Sequence, residues 1–406
     1  MAGEPVSPER VGIGMLGLGT VGTAVARRLI TEWHLLTARA GGATPILRAV
    51  AVRDTSKERD LDLKNVRVSD IAASVVDDPD VAIVVEVMGG TEPATGLIER
   101  ALAAGKTVVT ANKAVIAADG QRLWEAAAAH GAGLWFEAAV GGGLPIVAVL
   151  RDSLRGDRIS SIDAIINGTT NVILTRMREE GVTLATALAD AQARGFAEAD
   201  ASADVDGWDA AQKLVIMSRL AFNLNLTVDD ADVVGVGGLD RIDLGYTGQL
   251  GYAVKLVAHA ERRGRDAVQL RVRPTAVPES HPLFGVDGAN NAVLLASDLA
   301  QTVSVSGVGA GGESTASAVV SDVVNAVVRR GAQPQPTPAR DALVLDAEEY
   351  DVAGYIRLRI TDTDEARELV LQALEDRGVP VDDAIDRPPV DGPTPQLVVL
   401  TGMAPR

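Results

Sequence analysis

The chain contains no cysteine. That absence excludes a disulfide framework, a thiolate nucleophile and a cysteine-ligated zinc site. Histidine is nearly as scarce: His34, His130, His259 and His281 are scattered and show no H-E-x-x-H spacing. Carbonyl chemistry here has to run on Lys, Asp, Glu, Ser, Thr or Tyr. No apolar run approaches the roughly 20 residues that span a bilayer. The segment Met1 to Arg10 has no apolar stretch of the signal-peptide kind and reads as a short disordered tail, so a soluble, cytoplasmic protein is expected. Positive charge is also short: 38 Lys and Arg stand against 55 Asp and Glu, a formal net charge of -17. Such a balance argues against nucleic acid or an anionic membrane as partner. A small phosphate-bearing ligand can still bind, because backbone amides and one or two cations suffice. Only six of the 38 basic residues are lysine, namely Lys57, Lys64, Lys106, Lys113, Lys213 and Lys255. In a chain that otherwise uses arginine, a retained lysine suits a place that needs a compact, tunable charge.

What is present fits a globular chain of two or three domains: 406 residues, 47% hydrophobic and 23% charged. Val11 to Gly17 reads as a buried strand, and Thr23 to Trp33 has helical spacing. Strands at Ile46 to Val52, Val81 to Val87 and Thr107 to Thr110 alternate with helices at Glu92 to Ala104 and Gln121 to His130. That alternation predicts a doubly wound α/β domain over residues 1–150. Beyond it, strands at Ile159 to Ile166, Gln269 to Val272 and Ala292 to Ala296 mix with helices at Val172 to Glu180, Leu184 to Arg194 and Asp209 to Leu220. An α+β substrate domain is expected over 151–309. A helix at Glu313 to Arg329 can return to the first domain, which residues 310–332 would then complete. The prolines of Ala332 to Pro338 predict a spacer over 333–344. Residues 345–406 read as a small β-α-β-type module.

Three constellations carry chemistry. Gly17-Leu18-Gly19-Thr20-Val21-Gly22 follows a strand and opens a helix, the context a dinucleotide fingerprint requires. After the second strand come Arg53, Asp54 and Lys57. Arg53 suits a 2′-phosphate through its forked donors and favours NADP over NAD, while Asp54 would favour NAD. The same charges would serve equally as solvated loop residues. Lys113, in Thr110-Ala-Asn-Lys113, follows a strand at the carboxyl edge where ligands of open α/β sheets bind. Lys213 and Asp209 are spaced i,i+4 on one helix face, after an acidic, small-residue loop from Gly195 to Gly207 that includes Glu198. Taken alone, the pair is worth only about 0.3–0.5 kcal/mol as a surface ion pair. An acidic lining beside one ammonium group suits a zwitterionic amino-acid substrate.

Together with Ala111 to Ile116, Glu137 to Pro145, Asn167-Gly-Thr-Thr-Asn171 and Phe196 to Leu214, these residues resemble the homoserine dehydrogenase family over roughly 11–325. The resemblance implies reversible NAD(P)H-dependent reduction of L-aspartate 4-semialdehyde to L-homoserine. By position it makes Lys213 the proton donor and Lys113 a second active-site lysine, with Glu198 and Asp209 binding the amino-acid substrate. Gly195 and Gly309 match glycines near the cofactor. Glu137, Val140, Gly142 and Leu144 match a sodium site built partly from backbone carbonyls. A homodimer or homotetramer is expected on the same ground. The last module resembles the ACT domain, through which threonine inhibits many family members. Here it is shortened and lacks the usual Pro-Gly turn near Ile360 to Glu365. No aspartokinase segment precedes residue 11, so a monofunctional enzyme is expected. Two other readings stay open: a different NADP-dependent oxidoreductase of amino-acid aldehydes or keto acids, and a non-catalytic nucleotide or amino-acid sensor. Aspartate-semialdehyde dehydrogenase is disfavoured, because its acyl-enzyme step needs a cysteine.

Overall fold

Short apolar strands covered on both faces leave little choice but a parallel sheet flanked by helices. In the computed structural model, which describes residues 9–329, 339–345, 351–360, 363–387, 396–402 and 404–405, six such strands pair. They are β1 (Arg10–Leu16), β2 (Thr44–Ala51), β3 (Arg67–Ser69), β4 (Ile83–Glu86), β5 (Thr107–Thr110) and β6 (Leu134–Trp135). Their order is β3-β2-β1-β4-β5-β6, every pair parallel. The strand order reverses between β1 and β4, so a crevice opens there at the carboxyl ends, the usual ligand position of such sheets. The helix Gly312–Arg329 returns to this sheet, a possibility the sequence left open, and buries Ala316, Val319 and Val323 in one cluster with Ile13, Val25 and Val85.

The second sheet is mixed. Its order is Thr302–Val308, Asn290–Ser297, Ile159–Ile165, Tyr252–Arg262, Ala267–Pro278 and Leu343–Val344, with Ala231–Val233 also alongside Ala267–Pro278. The helices Gly168–Glu180 and Trp208–Phe222 cover one face and share a core of Ile162, Ala164, Leu214, Met217, Leu256 and Val293. The strand Tyr252–Arg262 has no counterpart in the sequence reading. Ala253 and Lys255 are buried as well as Leu256 and Ala258, so both faces are covered and the period-two signal is lost.

Two boundaries differ from expectation. The helix expected at Gln121 to His130 starts eight residues earlier and spans Lys113–Ala129, because Asn112 caps it. The expected spacer 333–344 is only partly a spacer. Residues 330–338 lie outside the described residues, as does the tail 1–8, but Arg340–Asp341 pairs with Leu224–Asn225 and Leu343–Val344 extends the second sheet. An open strand edge offers unpaired amides, and those short segments satisfy them.

The C-terminal part forms a three-stranded antiparallel sheet, Tyr355–Arg359, Gln396–Thr401 and Val381–Arg387 in that order, with the helix Thr363–Glu375. The arrangement is β-α-β-β, one strand more than the β-α-β pattern the sequence predicts. It rests on the helix Arg241–Gln249, where Ile242 and Tyr246 pack with Val398 and Tyr355 donates to Asp243 at 2.9 Å. Among the described residues no helix is long and apolar enough to cross a membrane.

Candidate active site

At the switch point the glycines divide the work. Gly17 has φ +103, and a Cβ there would sit 2.7 Å from the Val87 carbonyl oxygen. A Cβ on Gly22 would fall 2.4 Å from the Gly17 carbonyl, so helix Thr20–Thr31 can pack this close only with glycine. Nothing lies within 4 Å of the Cβ position of Gly19. Backbone amides at a helix start, next to open space, fit a pyrophosphate. The adjoining cavity of about 600 Å³ is lined by Leu18, Gly19, Arg53, Asp54, Lys57 and Met88 among others. Asp54 turns back on its own loop, where Oδ1 accepts from the Ser56 amide at 2.9 Å and its hydroxyl at 2.6 Å. The Ser56 bonds hold its pKa below the usual carboxylate value. Arg53 and Lys57 make no side-chain ion pair among the described residues.

A second group of residues gathers at the carboxyl ends of β5 and of strand Ile159–Ile165. Asn112 caps helix Lys113–Ala129 by accepting from the Val115 amide at 3.3 Å, which makes Lys113 the first helical residue. Asn167 caps Gly168–Glu180 in the same way, accepting from the Thr170 amide at 2.8 Å. Asp209 lies in the first turn of helix Trp208–Phe222, with Lys213 one turn on. Its Oδ2 accepts from Lys213 Nζ at 2.7 Å and from Asn167 Nδ2 at 2.8 Å, and Oδ1 faces Lys113 Nζ at 3.2 Å. Lys213 Nζ also donates to the Ile166 carbonyl at 2.9 Å. Asp209 is 7% exposed. Burial alone would raise its pKa, but Lys213, Lys113 and Asn167 outweigh that and hold it at about 2. The structure thus brings Lys113, Lys213 and Asp209 together around one buried carboxylate, with Lys213 half-buried and Lys113 reaching it from the more open side, rather than as a surface pair.

Arg219, two turns beyond Lys213, is what holds the two lysine-bearing helices in register. It donates to the carbonyls of Ile116 and Ala117 at 2.8 Å each and to that of Leu226 at 2.7 Å. Burial pulls its pKa down to about 10.

Glu198 is placed apart from this unit: its side chain is exposed and its carboxylate makes no hydrogen bond or ion pair among the described residues. Its loop is tied to the site, however, by Thr169 donating to the Phe196 carbonyl at 2.9 Å and Gln192 to the Glu198 carbonyl at 3.1 Å. Gly195 is exposed at φ +77, just past helix Leu184–Ala193. Gly309 sits where a Cβ would meet the Asn291 side chain at 1.8 Å. A Cβ on Gly142 would lie 2.3 Å from the Gly309 carbonyl, and one on Gly312 would lie 2.7 Å from Thr20 Cγ2. The chain at 309–312 therefore touches both the cation candidates and the dinucleotide fingerprint.

The candidate sodium residues lie around a single helical turn, Ala138–Gly141, and Val140 and Leu144 are buried. The Glu137 carboxylate is already engaged, accepting from the Val147 amide at 2.8 Å and the Ala148 amide at 2.7 Å. Among the described residues no three His, Asp or Glu side chains could hold a metal. A cation here would take most of its ligands from backbone carbonyl oxygens. The Glu137 amide donates to Asp322 Oδ2 at 2.8 Å, and burial lifts the Asp322 pKa to about 8.

Sequence reasoning assigned no role to Asn167, Asp204, Arg219 or Asp322. For Asn167 a signal existed, since Asn after a strand and before Gly-Thr-Thr is a helix-cap pattern. The other three act through contacts far along the chain.

Comparison with known proteins agrees with this geometry. Residues 17–137 match a model described as homoserine dehydrogenase, NAD binding domain, and residues 145–324 one described as homoserine dehydrogenase. The homoserine dehydrogenase of Synechocystis sp. is 47% identical over 78% of this chain and 73% of that protein. The one from Neisseria gonorrhoeae is 36% identical over 96% and 91%. A crystal structure of a homoserine dehydrogenase from Thiobacillus denitrificans, 37% identical, superposes with a TM-score of 0.90 over 98% of this chain and 92% of that one. A hyperthermophilic archaeal homoserine dehydrogenase in complex with NADPH, 29% identical, has a TM-score of 0.68 over 81% of this chain and 100% of its own. With matches to both the dinucleotide-binding part and the part bearing Asp209 and Lys213, this chain belongs to the homoserine dehydrogenase family.

Proposed function

We propose that the chain interconverts L-aspartate 4-semialdehyde and L-homoserine, with Lys213 as the proton donor to the aldehyde oxygen. One observation carries the role: an ammonium has three N–H donors, and Lys213 uses one on Asp209 and one on the Ile166 carbonyl. A third is left for the substrate oxygen. The nicotinamide, when bound, supplies or accepts the hydride at the substrate carbon. In the reducing direction Lys213 Nζ gives its proton to the developing alkoxide, and in the oxidising direction it takes the hydroxyl proton. Lys113, held by the other oxygen of Asp209, places a second positive charge beside the reacting oxygen or the substrate carboxylate. Glu198, on its tethered loop, and Asp209, between the two lysines, bind the amino-acid end of the substrate.

NADP is the favoured cofactor. Asp54 is turned into its own loop, Arg53 and Lys57 line the cavity, and the archaeal relative was crystallised with NADPH. A sodium ion would draw on the carbonyls of Glu137, Val140, Gly142 and Leu144. The proposed divisions are a dinucleotide-binding domain over 1–150 completed by 310–332, a substrate and dimerisation domain over 151–309, and an ACT-like module over 345–406. A cytoplasmic homodimer or homotetramer completes the reading. The test is homoserine-dependent reduction of NADP and of NAD, run in parallel on purified protein. Turnover with NADP ahead of NAD is expected; a folded protein that binds the dinucleotide without turning over homoserine would refute the reading.

A further inference from the structure

Asn167 does more than start a helix. Its Oδ1 accepts from the Thr170 amide at 2.8 Å and the Thr170 hydroxyl at 2.9 Å. A backbone amide can only donate, so the side-chain oxygen must face it and Nδ2 must point the other way. Both Nδ2 hydrogens are then used, one on Asp209 Oδ2 at 2.8 Å and one on Asp204 Oδ1 at 2.6 Å. Two carboxylates approach one nitrogen, and only the amide stands between them. The preceding residue, Ile166, holds Lys213 through its carbonyl. Residues 166–167 therefore grip both the ammonium and its counter-ion. The charged groups around the amide are Asp204 and Asp209, with Lys213 and Lys113 on the far side of Asp209.

We propose that Asn167 is a positioning residue for the reaction: its amide holds the Asp209 carboxylate in the one rotation that serves Lys113 with Oδ1 and Lys213 with Oδ2, and it separates Asp209 from Asp204. The inference rests on the reading of Lys213 as proton donor. Asp and Ser cap helices about as well as Asn, so a purely capping role predicts that either replacement is harmless. The positioning role predicts the opposite, because neither replacement supplies the two donors.

The experiment measures kcat and KM for homoserine from acid to alkaline pH, with thermal melting, for Asn167→Asp, Asn167→Ser and Lys213→Ala. At alkaline pH both Asn167 variants are expected to lose about 10- to 100-fold in kcat, the size of one lost hydrogen bond to a charged group. KM should change little; Asn167→Ser, which keeps the cap, should melt near the wild type, whereas Asn167→Asp should melt lower at alkaline pH, where three carboxylates crowd together. The carboxyl introduced by Asn167→Asp sits between two carboxylates, so it takes up a proton as pH falls and can donate again. Its deficit should narrow toward acid pH while that of Asn167→Ser stays constant. If Lys213→Ala keeps near-normal kcat, the proton-donor reading fails, and this inference with it. If Lys213→Ala is inactive while both folded Asn167 variants remain within about twofold of wild type, the Asn167 inference alone is overturned. Loss of activity that tracks loss of melting temperature, with no divergence between Asp and Ser, would leave a capping role only and overturn it too. If Asn167→Asp does not fold, Asn167→Ser decides.

Discussion

Asp209 shows how little an ion pair means until its surroundings are known. On an exposed helix face the Asp209–Lys213 spacing would contribute a few tenths of a kcal/mol. Buried and shared by two ammonium groups and one amide, the same carboxylate becomes the anchor of the site. Removing one partner of such a unit would leave charges uncompensated, which is far more costly than losing a surface pair. The residue-scale reading of cofactor choice is similarly local. Arg53 lines the cavity beside Gly19, and Asp54 is occupied by Ser56. For Arg53→Ala, kcat/KM with NADP is expected to fall about 10- to 100-fold, the value of charge-assisted bonds to a phosphate, while kcat/KM with NAD holds. Equal losses with both cofactors would show that Arg53 does not read the 2′-phosphate.

At the scale of elements, two buried ionisable side chains join parts that are distant in sequence. Arg219 ties helix Trp208–Phe222 to the first turn of Lys113–Ala129. Arg219→Met is expected to cost about 3 kcal/mol or more, because three carbonyls lose a charged donor. It should lower kcat as well, since Lys113 and Lys213 sit on the two helices concerned. A melt and a rate measurement on one preparation check this, and unchanged kcat would show that apolar packing alone sets the docking. Asp322, on the returning helix Gly312–Arg329, accepts from the Glu137 amide where β6 ends. Its folded pKa is about 8, raised from an unfolded value near 4 by burial and then by Glu137. The folded state therefore holds a proton that the unfolded state has lost. The contribution is full below about pH 4, and it declines as pH rises toward 8. Wild-type melting temperature should thus drop between pH 5 and pH 8.5, by an amount on the order of a few kcal/mol in stability. Asp322→Asn keeps the acceptor and has no proton to lose, so its melting temperature should depend less on pH over that range. Parallel slopes for the two proteins would rule the protonated carboxyl out.

Over the whole molecule, the proposed catalytic groups lie on helices packed with the two large sheets and not in the C-terminal module. That module contacts the rest through Ile242, Tyr246 and Asp243 on helix Arg241–Gln249. The archaeal relative matches this chain along 100% of its own length with only 81% of ours. Ending the chain after Leu345 is expected to leave homoserine turnover within about twofold, while melting falls because Ile242 and Tyr246 lose their cover. Loss of turnover in a truncated chain that still melts cooperatively would place the module in the active assembly.

The division between what was legible and what was not follows the reach of the forces involved. Glycines at Gly17, Gly19 and Gly22, the strand–helix alternation of the first 137 residues, and the shared helix face of Asp209 and Lys213 depend on sterics and periodicity among near neighbours, and the sequence by itself determined them. The cap residues Asn112 and Asn167 belong to the same class, and they were within reach although only the structure displayed them. Which lysine meets which carboxylate was not local. Lys113 reaches Asp209 only because Arg219 and the shared core dock two helices about a hundred residues apart, and Asp322 reaches Glu137 only because the chain returns to its first sheet. Burial of apolar faces chooses those partners, and burial is a property of the folded whole; tertiary structure alone turned an i,i+4 pair into a buried carboxylate shared by two lysines.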